Sequence, residues 1–394
     1  MMKYLVALFI LANSHFVFAQ SNHTSSFYRK RADSVFQRVW KLYAIPNQPG
    51  LFKENYPSGG DVKLDYFQGA EVGEKPVSFL WPFSGMYSAA NVLVKFSALE
   101  KKYQKYLDTL AKGVLAYRDT SRLPVGYQAY PAILEKSDRY YDDNALVCID
   151  YSEAYLNTKD EKYIDKAKEV FDFIISGWDD KLSGGVYWLE GHFDHKPACT
   201  NGMSTLAALK LYKCTKDPKY LDWGKRFYQW MHDHLRNPKG IYYNDIKMDG
   251  KINEVYYTYN TGSMLEASVM LYHFTKENAY LEEAKLVAEN AYTFFSKTDA
   301  YGNVNLTIDL PWFVTVLFRG YEALYQVDHQ PKYINAVADA LNKAWTNAAD
   351  RYGLLTAKWA TTEQAKRKPK WLLDQACIAE LYARLSLLNI NAQK

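Results

Sequence analysis

Two aspartates, Asp142 and Asp143, stand side by side in the run Tyr140-Tyr141-Asp142-Asp143-Asn144-Ala145, where an aromatic stretch gives way to an apolar, helix-forming one. Adjacent carboxylates repel each other and lose hydration when buried, and no cation lies immediately beside them in sequence to offset either cost. The arrangement makes sense where a reaction needs one carboxylate as nucleophile and another as proton donor. Consecutive Cα atoms are about 3.8 Å apart and successive helical side chains diverge by about 100°, so carboxyls at i and i+1 can sit roughly 5–6 Å apart. That approaches the separation of about 5–5.5 Å found in retaining glycosidases and falls short of the inverting one. A helix N-terminus favours an ionised carboxylate, and once one aspartate is ionised its neighbour's proton is held more tightly. The dipeptide alone is not decisive. Asp179-Asp180 is a second such pair, and it reads as a polar turn before Gly184-Gly185.

The elements that must position the pair are legible as a repeat. Tyr106-Leu107, Tyr163-Ile164, Tyr220-Leu221, Tyr280-Leu281 and Tyr333-Ile334 recur at intervals of 57, 57, 60 and 53 residues. Three of them follow a matching turn, Thr158-Lys159-Asp160, Thr215-Lys216-Asp217 and Thr275-Lys276-Glu277. Similarity at a fixed period marks a stacked supersecondary unit. The segment after each Tyr-Leu start is charged and amphipathic, whereas the segment before each turn (201–214, 262–274) is apolar on nearly all sides. A helix with one wet face belongs outside and a helix dry all round belongs inside. Twelve helices result, starting near Ser26, Leu80, Tyr103, Tyr141, Glu161, Thr200, Pro218, Thr258, Asn278, Pro311, Pro331 and Lys370, with the even-numbered ones inner. An open solenoid needs polar capping repeats, and the last helical stretch (372–388) is as apolar as the middle ones. The expected fold is therefore all-α, an (α/α)6 toroid of six inner and six outer helices, with strands confined to short loop hairpins such as Gly185-Val186-Tyr187-Trp188.

In such a ring the inner helices run parallel and their N-termini converge. The unusual residues fall there: Trp81-Pro82-Phe83, Asp142-Asp143, Thr200-Asn201, Tyr257-Thr258-Tyr259-Asn260 and Asp309-Leu310-Pro311-Trp312. Capping preferences account for the Asn, Asp, Thr and Pro residues but not for the Trp and Tyr residues beside them. Aromatic content is 16%, with 34 Tyr and 10 Trp; most must fill helix–helix contacts, while those in loops offer flat faces for sugar rings.

At this point the chain resembles glycoside hydrolase family 76. The resemblance rests on Tyr141-Asp142-Asp143-Asn144-Ala145, on Gly184-Gly185-Val186-Tyr187-Trp188, on Asn201 and on Thr258-Tyr259-Asn260-Thr261-Gly262, and it runs from about Tyr28 to Leu388. It implies an (α/α)6 endo-α-1,6-mannanase acting on microbial mannan with retention, Asp142 as nucleophile and Asp143 as acid/base. With the converging loops it implies sugar contacts from Trp81, Phe83, Tyr141, Asn144, Trp188, Asn201, Asp245, Tyr257, Tyr259, Asn260 and Trp312. The chain departs from the family pattern at Leu146, where Trp is usual, at Asn244, where a family Asp falls one place before Asp245, and at Thr261, where the family has Gln. These departures imply an altered subsite preference or a weakened enzyme. Two other classes use the same logic: uronyl hydrolases and sugar epimerases on the same ring, and a non-catalytic or transglycosylating mannan-binding relative.

The chain opens with Lys3, an apolar stretch from Tyr4 to Ala12, and Val17-Phe18-Ala19 before Gln20. That pattern reads as a signal peptide over 1–19, too short to span a membrane as a mature helix. Residues 20–394 then form one catalytic domain, exported to a periplasm or beyond the cell, with no lipid-anchor Cys at the cleavage point. A net charge of +4 without basic runs argues against nucleic acid; the one cluster, Lys366-Arg367-Lys368 with Lys370, reads as a solvated loop. Cys148, Cys199, Cys214 and Cys377 are too few and scattered for a disulfide framework, and three of them lie in helical patterns as small buried hydrophobes. His192 and His195 lack a further ligand cluster, so no metal and no cofactor is expected, and His195 reads as part of a loop bordering the cleft. A monomer acting on mannan polysaccharide or manno-oligosaccharide is the expected state.

Overall fold

The sixty-residue period is written by turn chemistry. A computed structural model describes residues 24–59, 63–64, 72–96, 100–300 and 304–388; the signal peptide expected over 1–19 lies outside them. At the first turn the Thr158 hydroxyl donates back to the Ala154 carbonyl and accepts from the Asp160 amide (2.7 and 3.2 Å), and the Asp160 carboxylate caps the next helix by accepting from the Lys162 amide. The same bonds recur at Thr215 and Asp217. Between them Lys159, Lys216 and Lys276 take the left-handed conformation (φ 61, 60 and 63°), a place usually left to glycine. Each sets its ammonium over the tyrosine four residues earlier, 5.5, 5.5 and 5.8 Å from the ring centres of Tyr155, Tyr212 and Tyr272. A cation–π contact of this kind offsets part of the left-handed strain.

Each such turn leads from one inner helix into the next outer one, and the helices alternate outer and inner: α1 (Ser25–Tyr43) and α2 (Leu80–Leu93), α3 (Glu100–Gly113) and α4 (Tyr141–Thr158), α5 (Glu161–Ser176) and α6 (Ala198–Thr215), α7 (Pro218–Leu235) and α8 (Thr258–Thr275), α9 (Asn278–Phe294) and α10 (Pro311–Asp328), α11 (Lys332–Asn347) and, after the single turn α12 (Glu363–Arg367), α13 (Leu372–Leu387). The inner set is α2, α4, α6, α8, α10 and α13, each touching the next and α13 returning to α2, so the ring closes as an (α/α)6 toroid. The helix starts expected from sequence fall within three residues of those observed. The short α12 was not expected, and it displaces the last inner helix to thirteenth place.

Ion pairs on the axis show that the inner helices are parallel. Lys210 meets Glu153 at 2.9 Å, each the thirteenth residue of its helix, and Arg319 meets Glu380 at 2.7 Å, each the ninth. Helices α8 and α10 approach most intimately at Gly262, where an added Cβ would meet the Leu317 Cα at 2.4 Å. The glycine of the Thr-Tyr-Asn-x-Gly motif is thus a packing requirement. First and last segments are stitched together by strand pairing of Asn55–Tyr56 with Lys370–Trp371, by the Trp371 indole donating to Glu54 Oε1 at 2.6 Å, and by the Leu372 amide donating to the Glu54 carbonyl.

Sheet is minor. The largest piece has three strands, His195–Pro197, Tyr243–Lys247 and Ile252–Tyr256. The expected hairpin at Gly185–Trp188 is instead a loop with isolated bridges from Trp178 to Val186 and from Tyr140 to Leu189. Gly184 and Gly185 carry φ of 127° and 86°, and a Cβ at either would run into the rings of Trp178 and Trp230, so the chain turns sharply where a strand would continue. The four cysteines are free and lie on inner helices, Cys148 and Cys377 buried, Cys199 and Cys214 half-buried. Lys370 is not solvated as its cluster suggested. It is buried, paired with Asp350 at 3.3 Å and bonded to the Lys366 and Lys368 carbonyls.

Candidate active site

All six inner helices send their first turns into one cleft of about 810 Å³. Its floor and walls include Trp81 from α2, Asp142 and Asp143 from α4, Cys199 and Met203 from α6, Tyr259 from α8, Trp312 and Phe313 from α10, and Asp374 from α13. In α4, α6 and α8 the register is fixed by the fourth residue of the helix, which bonds to the loop before it. In α4, Asn144 accepts from the Tyr127 amide (2.7 Å) and donates to the Tyr127 and Tyr140 carbonyls (2.9 and 2.7 Å). In α6, Asn201 does the same with the Val186 amide and the Val186 and Pro197 carbonyls. In α8 the slot holds Thr261, whose shorter side chain accepts only from the Tyr242 amide at 3.2 Å. With this position turned to the loops, the preceding residues face the axis.

The two aspartates sit half-buried on the cleft surface in unlike surroundings. Asp142 accepts from the Trp188 indole at 3.0 Å and from the Asp143 amide at 3.0 Å, and the Cys199 thiol acts with them to lower its pKa. Burial raises its pKa, and these donors offset part of that rise. Asp143 has no such donors. Burial first, and the Asp142 charge second, push its carboxyl well above the usual range. The proton shared by the pair therefore resides on Asp143, while Asp142 is held as the anion. Arg139, only three residues before Asp142, does not neutralise them. It is fully buried, forked onto Glu190 and bonded to the Arg122 and Pro124 carbonyls. That clasp, with the Tyr141 amide donating to the Trp188 carbonyl, delivers Trp188 to Asp142. Asp179 serves the same loop: it binds the buried Lys196 at 2.5 Å and the Tyr187 hydroxyl at 2.7 Å, and it accepts from the Lys181 amide at the start of the turn expected there.

Of the residues expected to touch sugar, Trp81, Trp188, Tyr257, Tyr259 and Trp312 line the cleft. Trp81 meets Trp312 and Trp371 edge-on (5.3 and 5.2 Å), and Tyr259 stacks on Phe313 at 4.1 Å. The others lie behind the wall. Phe83 packs between Phe52 and Tyr117, Tyr141 stacks on Phe173 at 4.7 Å, and Asn144 and Asn201 are consumed by the loop backbone. Asn260 is fully buried. Asp245 is buried beneath Asn244 and bonds it at 2.8 Å, because successive strand residues face opposite ways; Asn244 is the one in the cleft. Leu146 is a buried residue of α4 away from the cleft.

Several cleft residues carried no sequence expectation: Tyr140 (one residue out of phase with Tyr141), Cys199, Trp371 and Asp374; Asp309 lies in the cleft where the converging helix starts placed it. Asp309 accepts from the Thr258 amide and hydroxyl at 2.8 and 2.9 Å, anchoring the start of α8. The signal for Trp371 and Asp374 was their place at the sixth inner start, which the apolar run after it concealed. His195 does border the cleft, paired with Asp194 at 2.8 Å beside Trp188. Among the described residues no cluster of His, Cys, Asp and Glu could hold a metal ion.

Comparison with known proteins points mainly to one family, although a cellobiose 2-epimerase of Eubacterium cellulosolvens is also 28% identical over 103 residues, 25% of this chain and 25% of that one. A sequence model of glycosyl hydrolase family 76 matches residues 58–392. A family 76 mannosidase from Bacteroides thetaiotaomicron VPI-5482 superimposes with a TM-score of 0.81 and 28% identity, covering 92% of this chain and 98% of its own. A family 76 glycoside hydrolase from a bovine Bacteroides thetaiotaomicron strain gives 0.81 and 26%, covering 94% and 79%. A mannan endo-1,6-α-mannosidase of Saccharomyces cerevisiae is 29% identical over 140 residues, 33% of this chain and 31% of that one, so the match spans about a third of the curated relative's length.

Proposed function

Because this chain belongs to glycosyl hydrolase family 76, we propose that it is an exported, retaining glycoside hydrolase that cleaves α-1,6-mannosidic linkages within microbial mannan. The observation that carries the reading is the unequal setting of two adjacent carboxyls in an aromatic cleft. Asp142, bonded by Trp188 and the Asp143 amide and favoured as the anion by Cys199, is the nucleophile; Asp143, without donors and beside that charge, is the acid/base. Asp143 gives its proton to the glycosidic oxygen as Asp142 attacks the anomeric carbon, forming a mannosyl-aspartate ester. Asp143, now a base, takes a proton from water, which hydrolyses the ester and restores both groups. No cofactor enters.

The wall of Trp81, Trp312 and Tyr257 suits stacking of pyranose faces, and the cleft is open enough for a chain to lie across it, which favours internal cleavage. The yeast relative's name as a mannan endo-1,6-α-mannosidase supports the substrate. The leader pattern at 1–19 supports export, which agrees with a polysaccharide substrate outside the cell; among the described residues no helix is long and apolar enough to cross a membrane. Sugar epimerases on the same ring use histidine pairs, and His195 is the one histidine among the described residues that lines the cleft, so hydrolysis is favoured.

Incubation with linear, debranched α-1,6-mannan and sizing of the products tests this directly. Shortened oligosaccharides are expected from the native chain. Asp142→Asn and Asp143→Asn should each lose about a thousandfold or more in rate while melting as the parent does. Full activity in either variant ends the assignment.

A further inference from the structure

A third carboxyl faces the cleft. In α13 the fourth position is Gln375, which accepts from the Leu355 amide and donates to the Leu355 carbonyl, both at 2.9 Å. This is the bond pattern of Asn144 in α4, so α13 is held in the same register as α4. The third residue of α4 is Asp143 and the third residue of α13 is Asp374, and both line the cleft.

Asp374 is only 2% exposed, and its Oδ1 has no hydrogen-bond partner among the described residues. The nearby cation is spoken for, since Lys370 holds Asp350 and two loop carbonyls. The Trp371 indole donates to Glu54. Burial alone lifts the Asp374 carboxyl to about 7. A carboxyl kept dry without a donor costs stability unless something supplies donors, and here the open side is the cleft. Beside it Trp81, Trp312 and Trp371 meet edge to face and form an apolar wall of pyranose dimensions. Hydroxyl groups on the rim of a stacked sugar ring are the donors such a carboxyl lacks.

We propose that Asp374 is a substrate-recognition residue, whose carboxylate accepts hydroxyl hydrogen bonds from a hexopyranose unit lying against the Trp81–Trp312–Trp371 wall. The proposal rests on the glycosidase reading and adds a sugar-binding carboxyl on a different helix from the Asp142–Asp143 pair, with α2 between them in the ring. Asp374 takes no part in the bond-breaking steps, so its loss acts on binding.

The test compares the native chain with Asp374→Ala and Asp374→Asn on linear α-1,6-mannan, and measures α-1,6-mannotriose binding by calorimetry in an Asp143→Asn background. Loss of a hydrogen bond to a charged group predicts KM and Kd about tenfold or more higher in Asp374→Ala, kcat within about threefold, and an intermediate Asp374→Asn. Thermal melting should stay level or rise, because an unpartnered carboxyl has been removed; a purely structural aspartate would lower it. An active parent with unchanged KM and Kd in both variants overturns the proposal alone. A parent that neither binds nor cleaves α-1,6-mannan overturns the functional reading and this proposal with it.

Discussion

At the residue scale, chemistry in this cleft is decided by who donates to which carboxyl. The aspartates are neighbours in sequence, yet only Asp142 is met by an indole N–H, an amide and a thiol. Trp188→Phe removes the indole donor and keeps the ring. Since that donor lowers the Asp142 pKa, its loss raises it, and the acid limb of the kcat/KM profile should move to higher pH with kcat about tenfold or more lower. An unmoved acid limb would separate Trp188 from the charge on Asp142. Much of this was legible beforehand, because an unoffset acidic pair at a helix start is costly wherever it occurs. The alternation of neighbours was not: Tyr140 rather than Tyr141 and Asn244 rather than Asp245 face the cleft, since the phase of a short loop or strand is set by tertiary bonds such as Tyr141 to Trp188. Asn144 and Asn201 looked like sugar ligands because they share the cleft-forming turns. Their amides are spent on loop backbone, which sequence alone does not reveal.

At the element scale, the helix pairs were readable because their turns are local. A threonine that bonds back to i−4, a left-handed lysine and a capping aspartate need nothing from the rest of the chain, so they recur recognisably. The tyrosines beneath the lysines, which explain why glycine is not used, are visible only once the helix brings residues four apart together. Asp217 caps α7 through the Lys219 amide, whereas Glu277, in the matching place before α9, makes no side-chain cap. Asp217→Ala should therefore cost about 1 kcal/mol and Glu277→Ala a few tenths or less, read from urea midpoints at constant m. Equal losses at the two sites would contradict the capping account. The final inner helix was harder to read. The short α12 intervenes before it, and its cleft residues Trp371 and Asp374 are followed by an apolar run.

At the scale of the whole molecule, the ring is closed by charge as well as by packing. Beneath the cleft, Lys210 lies between Glu153 and Glu266, and Arg319, Glu380, Arg384 and Glu322 continue the chain of ion pairs across α10 and α13. Glu380 is fully buried, and the two arginines hold it down at about 2 despite burial. Its folded value is depressed, so its contribution is present above the ordinary glutamate value and is lost as pH falls towards 2. Glu380→Gln leaves Arg319 and Arg384 short of a partner and should destabilise the chain at pH 7 by about 3–5 kcal/mol, the gap from the parent narrowing as pH falls below 4.5. A constant gap from pH 7 to 3 would show that Glu380 is not the titrating group. Closure itself was anticipated from the apolar last helix; the axial charges were not, because the pairs from Arg319 to Glu380 and from Glu322 to Arg384 join residues some sixty positions apart.

The central claim is that Asp142 attacks sugar and Asp143 manages the proton. The most direct measurement is trapping: incubation with a manno-configured, mechanism-based glycosyl reagent, proteolysis, and mass spectrometry of the modified peptide. A single mannosyl adduct on Asp142, absent in Asp142→Asn, is the expected result. An adduct on Asp143 or elsewhere, or mannan cleavage that proceeds with inversion and forms no adduct, would contradict it.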